Sequence, residues 1–156
     1  MPDLSGFPGP TAFRLALACD LAQVREAARA MRGFLAGQGC AEADLIACDL
    51  VIVEACNNAI EYALEDRRRE PVIIEALCHA DELELRITDH TPGFEWPEAA
   101  TLPDPHSESG RGVYLIRSLM DAVSYIRGSE GNTLVLRKKR RSAAFTPLPL
   151  RPNREG

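Results

Sequence analysis

Glu54-Ala55-Cys56-Asn57-Asn58-Ala59 sits inside a helix pattern that runs from about Glu42 to Asp66 and is apolar almost all round through its middle. A helix of that kind is largely buried. Glu54 and Asn58 are four residues apart, so they share one face of it. Burying a carboxylate is costly unless the group is paired or faces a wet cavity. Two readings follow. In one, Asn57 or Asn58 bonds a neighbouring loop and Glu54 pairs with an arginine. In the other, Asn58 gives a carbonyl oxygen to magnesium, a hard ion that prefers oxygen ligands, and Glu54 stands beside it as a general base.

Working outward, Phe13, Leu15 and Leu17 alternate with Arg14 and Ala16 as an opening strand. Asp20 can cap a helix through Val24, Ala27, Ala28, Met31 and Leu35 that ends near Gly37 or Gly39. Arg25, Glu26, Arg29 and Arg32 give that helix a charged face, suited either to solvent or to a partner. Pro71 closes a polar link after the central helix. Val72 to Leu77 and Leu83 to Ile87 then read as a hairpin around Asp81-Glu82. From Glu95 to Ser109 the chain holds Pro97, Pro103 and Pro105 with no periodicity, and a loop that long is usually functional or disordered. A short amphipathic helix, Gly112 to Met120, precedes two more strands, Ala122 to Arg127 and Thr133 to Leu136. Parallel βαβ alternation is absent. The expected fold class is α+β, a sandwich with a mixed, mostly antiparallel sheet covered by helices on one face.

Two further segments carry chemistry. In Asp89-His90-Thr91-Pro92-Gly93-Phe94 an acid ends the second hairpin strand and a turn follows. Asp89 is then either a turn former or a partly buried carboxylate that accepts a hydrogen bond from an exocyclic amino group, which would select adenine over guanine. Gly93 lets backbone approach a ring closely. In Ser109-Gly110-Arg111-Gly112-Val113 two glycines stand at the mouth of a helix, where backbone N–H groups bind phosphate. Arg111 adds charge there or is simply solvated. Neither G-x-x-x-x-G-K-[ST] nor G-x-G-x-x-G is present, since Leu115 stands where the last glycine of the second would be. Taken in order over about sixty residues, the three segments point to an ATP and magnesium site.

Composition bounds the remainder. A chain of 156 residues with 46% apolar and 26% charged residues fits one globular domain with a sizeable core. No run approaches the ~20 apolar residues that cross a bilayer, and Met1-Pro2-Asp3-Leu4-Ser5 lacks the features of a signal peptide. A cytoplasmic protein without membrane contact is expected. The five cysteines, Cys19, Cys40, Cys48, Cys56 and Cys78, form no C-x-x-C pair and read as small buried residues. The three histidines form no ligand cluster. Residues 137–156 carry a net charge of +6 and the remainder −11, and an acidic body argues against direct nucleic-acid binding. The expected organisation is a flexible N-terminus over 1–10, one domain over 11–138, and a basic, Pro-rich disordered tail over 139–156.

The ordered set resembles the N, G1 and G2 boxes of the GHKL ATPase superfamily, the Bergerat fold of histidine kinases and gyrase B, over roughly residues 11 to 138. The chain is most similar to its small stand-alone branch, the anti-sigma factor serine kinases of the RsbW and SpoIIAB type. The resemblance implies Glu54 as catalytic base and Asn58 as magnesium ligand. It also implies Asp89 as adenine reader and Thr133 as a hydroxyl in the adenine pocket. Gly93, Gly110, Arg111, Gly112 and Val113 complete the nucleotide contacts, and Glu95 to Ser109 forms the ATP lid. The function it implies is transfer of the ATP γ-phosphate to a serine or threonine on a STAS-domain anti-sigma antagonist, with a sigma factor as competing partner; a homodimer is compatible with it. The rival is a nucleotide-gated module that sequesters a partner without phosphorylating it. Two residues depart from the pattern: Thr91 replaces the first glycine of the G1 box, and Tyr62 stands where relatives often carry histidine.

Overall fold

In the computed structural model, which describes residues 11–93 and 111–141, the chain opens with β1 (Thr11–Leu17), α1 (Val24–Gly37) and α2 (Glu42–Glu61). The hairpin β2 (Val72–Cys78) and β3 (Glu82–Asp89) follows, then α3 (Arg111–Leu119), β4 (Ala122–Arg127) and β5 (Asn132–Lys139). The strands make a five-stranded sheet in the order β1-β2-β3-β5-β4. Each of its four pairs is antiparallel, so the parallel component expected of a mixed sheet is absent among the described residues.

The sheet buries one face. Val72, Ile74, Ala76 and Cys78 of β2 alternate with half-buried neighbours, and Leu83, Leu85, Ile87, Leu134 and Leu136 continue the same layer. The helices cover it. α2 packs against β2, β3, α1 and α3, and its buried Val51, Ile52 and Cys56 face the layer with Met31 and Leu35 of α1 and Ile116 of α3. The opposite face is mixed, with Ile73, Leu77 and Val135 among ion pairs such as Arg14–Glu75 at 3.6 Å and Arg86–Glu84 at 3.0 Å. This is the α+β architecture that the element order implies.

Helix ends differ from the sequence reading in two places. Asp20 caps the 3-10 turn Leu21–Gln23, accepting from Ala22 N at 3.0 Å, and α1 begins only at Val24. α2 stops at Glu61 rather than Asp66. Past Tyr62 the backbone leaves the helix because Leu64 N bonds the His90 carbonyl at 3.2 Å. That tertiary partner has no local signal. The start at residues 1–10, the Pro-rich stretch 94–110 and residues 142–156 lie outside the described residues. Among the described residues no helix is long and apolar enough to cross a membrane.

All five cysteines are free, and four are buried. Burial pushes the Cys56 and Cys48 thiols up to about 12 and Cys40 to about 11. These are inert packing residues.

The boundary expected at 138 falls short of the ordered contacts. β5 runs to Lys139, whose N–H donates to Asp121 Oδ2 at 2.6 Å. Arg140 donates to the Gln38 carbonyl and to the His79 carbonyl at 3.1 Å. Asp44, fully buried in the first turn of α2, accepts Arg141 N at 2.7 Å. Arg140 and Arg141 thus tie the end of the sheet to the helix layer. Ending the chain after Arg141 should leave stability unchanged in urea unfolding. Ending it after Lys139 strands the buried Asp44 carboxylate and should cost about 1–3 kcal/mol.

Candidate functional site

α2 carries Glu54 and Asn58 on the side that meets α3, both half-buried. Gly112, in the first turn of α3, sits directly against them. A Cβ built there would lie 2.9 Å from Glu54 Oε2 and 3.4 Å from Asn58 Nδ2. A side chain at 112 would have to displace the Glu54 carboxylate from its present place. The glycine therefore serves close approach, and it brings a carboxylate and an amide to a helix N-terminus, where partial positive charge favours anions. Arg111 opens α3 and is exposed, and Val113 is half-buried in its first turn. Gly110 lies outside the described residues.

Beside this junction lies a pocket. Ala55, Asn58 and Ala59 of α2 and Ile116 of α3 form one wall, and Ile87, Leu134 and Tyr125 of the sheet form the other. Its polar end is Asp89 and Thr91. Asp89 is only 6% exposed, a degree of burial that demands donors. Its Oδ1 receives three: Thr91 N at 3.0 Å, Thr91 Oγ1 at 2.9 Å and Asn132 Nδ2 at 3.3 Å. The same Asn132 amide donates to the Thr91 carbonyl at 2.9 Å. No described residue donates to Oδ2.

Asp89 is therefore both a turn former and a pocket residue. Thr91, the departure from the glycine of the G1 box, does not disrupt the turn. Its hydroxyl donates to Asp89 and accepts Gly93 N at 3.2 Å. Gly93 adopts the left-handed conformation, φ 81°, that favours glycine.

The sequence reading misplaces one residue. The Thr133 hydroxyl shares a hydrogen bond with Thr88 Oγ1 at 3.2 Å, on the sheet face turned away from the helices, so it is not part of the pocket wall. Strand alternation gives that side to Asn132 and Leu134. Asn132, paired opposite Asp89 in the ladder and donating to its Oδ1, supports the pocket's polar end, and the sequence reading missed it. The signal was the period of two along β5. Tyr125 was missed as well, because a strand tyrosine has no motif. Tyr62 is exposed at the end of α2, outside the pocket lining. His90 turns outward to Arg67 Nη2 at 3.0 Å and Glu70 Oε2 at 3.3 Å.

Residues 17–138 match the family model described as a histidine kinase-like ATPase domain. The serine-protein kinase RsbW of Bacillus thuringiensis subsp. konkukian is 31% identical over 117 residues, 69% of this chain and 72% of that protein. The RsbW of Bacillus velezensis is 28% identical over 98 residues, 57% of this chain and 61% of that protein. Among solved structures, the RsbU and RsbW domains of a Mycobacterium tuberculosis protein superpose with a TM-score of 0.64 at 17% identity, covering 88% of this chain and 34% of that one. The SiaB–SiaC complex of Pseudomonas aeruginosa gives 0.54 at 13% identity, covering 81% and 88%. These two likenesses are of fold.

The Asp89 cluster predicts its own cost. Thr91→Val keeps the shape and removes one donor from a buried carboxylate. It should lower stability by about 1–3 kcal/mol in urea unfolding, whereas Thr133→Val, on the other face, should cost less.

Proposed function

Since the chain belongs to the histidine kinase-like ATPase family, we propose that it is an ATP-dependent serine/threonine protein kinase of the partner-switching kind, similar to RsbW. Its substrate would be a STAS-domain anti-sigma antagonist, with a sigma factor as the competing partner. The observation that carries this reading is the contact of Glu54 and Asn58 with Gly112, next to a pocket that ends in Asp89.

The chemistry follows from the residues. Asp89 Oδ2 accepts the exocyclic amino group of adenine, while an oxo group there would face the carboxylate with no proton to share. The pocket walls hold the ring by apolar contact. The N–H groups at the start of α3 receive phosphate oxygens. Glu54 takes the proton from the attacking serine or threonine hydroxyl as its oxygen bonds to the γ-phosphorus and the bond to the β,γ-bridging oxygen breaks, releasing ADP. Asn58 would hold magnesium through its carbonyl oxygen, and the ion would supply charge neutralisation on the phosphates. The donors fit such an ion. Magnesium is typically held by one or two protein oxygens with water and phosphate completing the shell, and the space against Glu54 and Asn58 is one that a Cβ at 112 would fill. No cluster of three or more acidic, His or Cys side chains competes for another metal among the described residues.

The docking surface proposed for the antagonist is the charged face of α1. Arg25 and Arg29 are exposed there, Arg29 paired with Glu26 at 3.6 Å, and Arg32 reaches Glu42 of α2.

Three measurements test the reading. With labelled ATP and STAS proteins from the same source, Glu54→Ala should retain nucleotide binding and lose transfer by roughly 10²–10⁴-fold; undiminished transfer would remove Glu54 from the mechanism. By isothermal titration, Asp89→Asn should bind ATP much more weakly, because an amide cannot supply the charge-assisted acceptor. The wild type should prefer ATP over GTP. Reversing Arg25 and Arg29 to Glu should slow antagonist association in a salt-sensitive way while leaving ATP affinity intact; a silent reversal would place the docking surface elsewhere.

A further inference from the structure

Arg127 has no part in the sequence motifs, yet it stands in line with the residue that reads the base. In the ladder Asp89 of β3 pairs with Asn132 of β5, and Asn132 pairs with Arg127 of β4. The three side chains form one row across the sheet, with Arg127 two strand spacings, roughly 10 Å, from Asp89. Tyr125, two residues before Arg127 on the same side of β4, lines the pocket. Arg127 is therefore at the pocket's rim.

What it does there is set by Gly93. A Cβ at Gly93 would lie 2.8 Å from Arg127 Nε, 3.3 Å from Nη2 and 3.4 Å from Cζ. The guanidinium therefore rests on the bare glycine, and its Nη2 donates to the Pro92 carbonyl at 3.3 Å. It makes no ion pair with a carboxylate among the described residues. A planar cation on a glycine seat, tethered by one carbonyl at the mouth of a mostly apolar pocket, keeps donors that no other described residue takes up. A purine ring presents the matching surface, a π-face with acceptor nitrogens at its edge.

We propose that Arg127 is a nucleotide-binding residue that lies against the nucleoside part of the bound nucleotide, with Asp89 at one end of the ring and the guanidinium at the other. This rests on the ATP reading of the pocket. The phosphates belong to the other end of the site, at Gly112, so Arg127 serves ATP and ADP alike.

Isothermal titration of ATP and ADP against the full chain tests this. Arg127→Ala should weaken both nucleotides by the same factor, about tenfold, with the melting temperature of the nucleotide-free protein unchanged. Arg127→Lys keeps the charge but loses the planar face, and should stay close to the alanine variant. Equal affinity in Arg127→Ala and wild type overturns the inference. So does a loss confined to ATP, which would put the cation on the terminal phosphate, or a loss that tracks a lower melting temperature and is rescued by lysine, which would make Arg127 a clamp on Pro92. If the wild type binds neither nucleotide, the ATP reading falls and this inference with it; if the wild type binds and Arg127→Ala binds equally, only the inference falls.

Discussion

α2 is hemmed in by α1 on one side, α3 on another and the sheet beneath, and a helix so placed can present polar atoms only where a neighbour leaves room. Gly112 leaves that room. The missing side chain lets the first turn of α3 settle within contact distance of the Glu54 carboxylate and the Asn58 amide. The charge of Glu54 then faces a helix N-terminus, where it is tolerated at half-burial. The packing of two helices and the chemistry of the site are thus one arrangement. A methyl group at 112 would occupy the space that the Glu54 carboxylate now borders.

At the other end of the pocket the constraint is electrostatic. Asp89 is nearly fully buried, and a carboxylate in that position is held by its donors or not at all. Three donors converge on Oδ1 and none of the described residues reaches Oδ2. That asymmetry anchors the group through one oxygen at the polar end of the pocket. Thr91 is central to it, since its backbone N–H and its hydroxyl both serve Asp89. The threonine that breaks the family's glycine pattern thereby adds a donor to the residue that the pattern exists to position.

Much of this was legible in the sequence, and the failures have specific causes. The shared face of Glu54 and Asn58 was readable because helical spacing fixes it, whereas Gly112, read from sequence as a phosphate-approach glycine, is seen to lie against that face. The strands were readable from their alternation. Thr133 was misplaced because a motif was carried over by residue type without counting the period of two along β5, which turns Asn132 to Asp89 and Leu134 to the pocket. The end of α2 was overrun by about five residues because its stop signal is the carbonyl of His90, far along the chain. Arg140 and Arg141 looked like the start of a solvated basic tail, and nothing local shows that Asp44, nearly a hundred residues earlier, is buried and waiting for Arg141 N.

That last contact changes how the charge asymmetry of the chain is understood. The basic run from Arg137 to Arg141 does not behave as one block. Lys138 donates to the Leu119 carbonyl at 2.9 Å, at the C-terminal end of α3, where a cation complements the helix dipole. Arg137 lies 3.8 Å from Glu84 on the far face of the sheet, while Arg140 and Arg141 are held at the opposite layer by carbonyls and by Asp44. Alternation along β5 sends Arg137 and Lys138 to opposite faces, and Arg140 and Arg141, beyond the strand, find acceptors on other elements. A sequence of like charges that reads as a solvated patch is here distributed as separate ties between the sheet, the α1–α2 junction and α3. It ties together the same helix layer whose spacing sets the gap between Glu54 and Gly112.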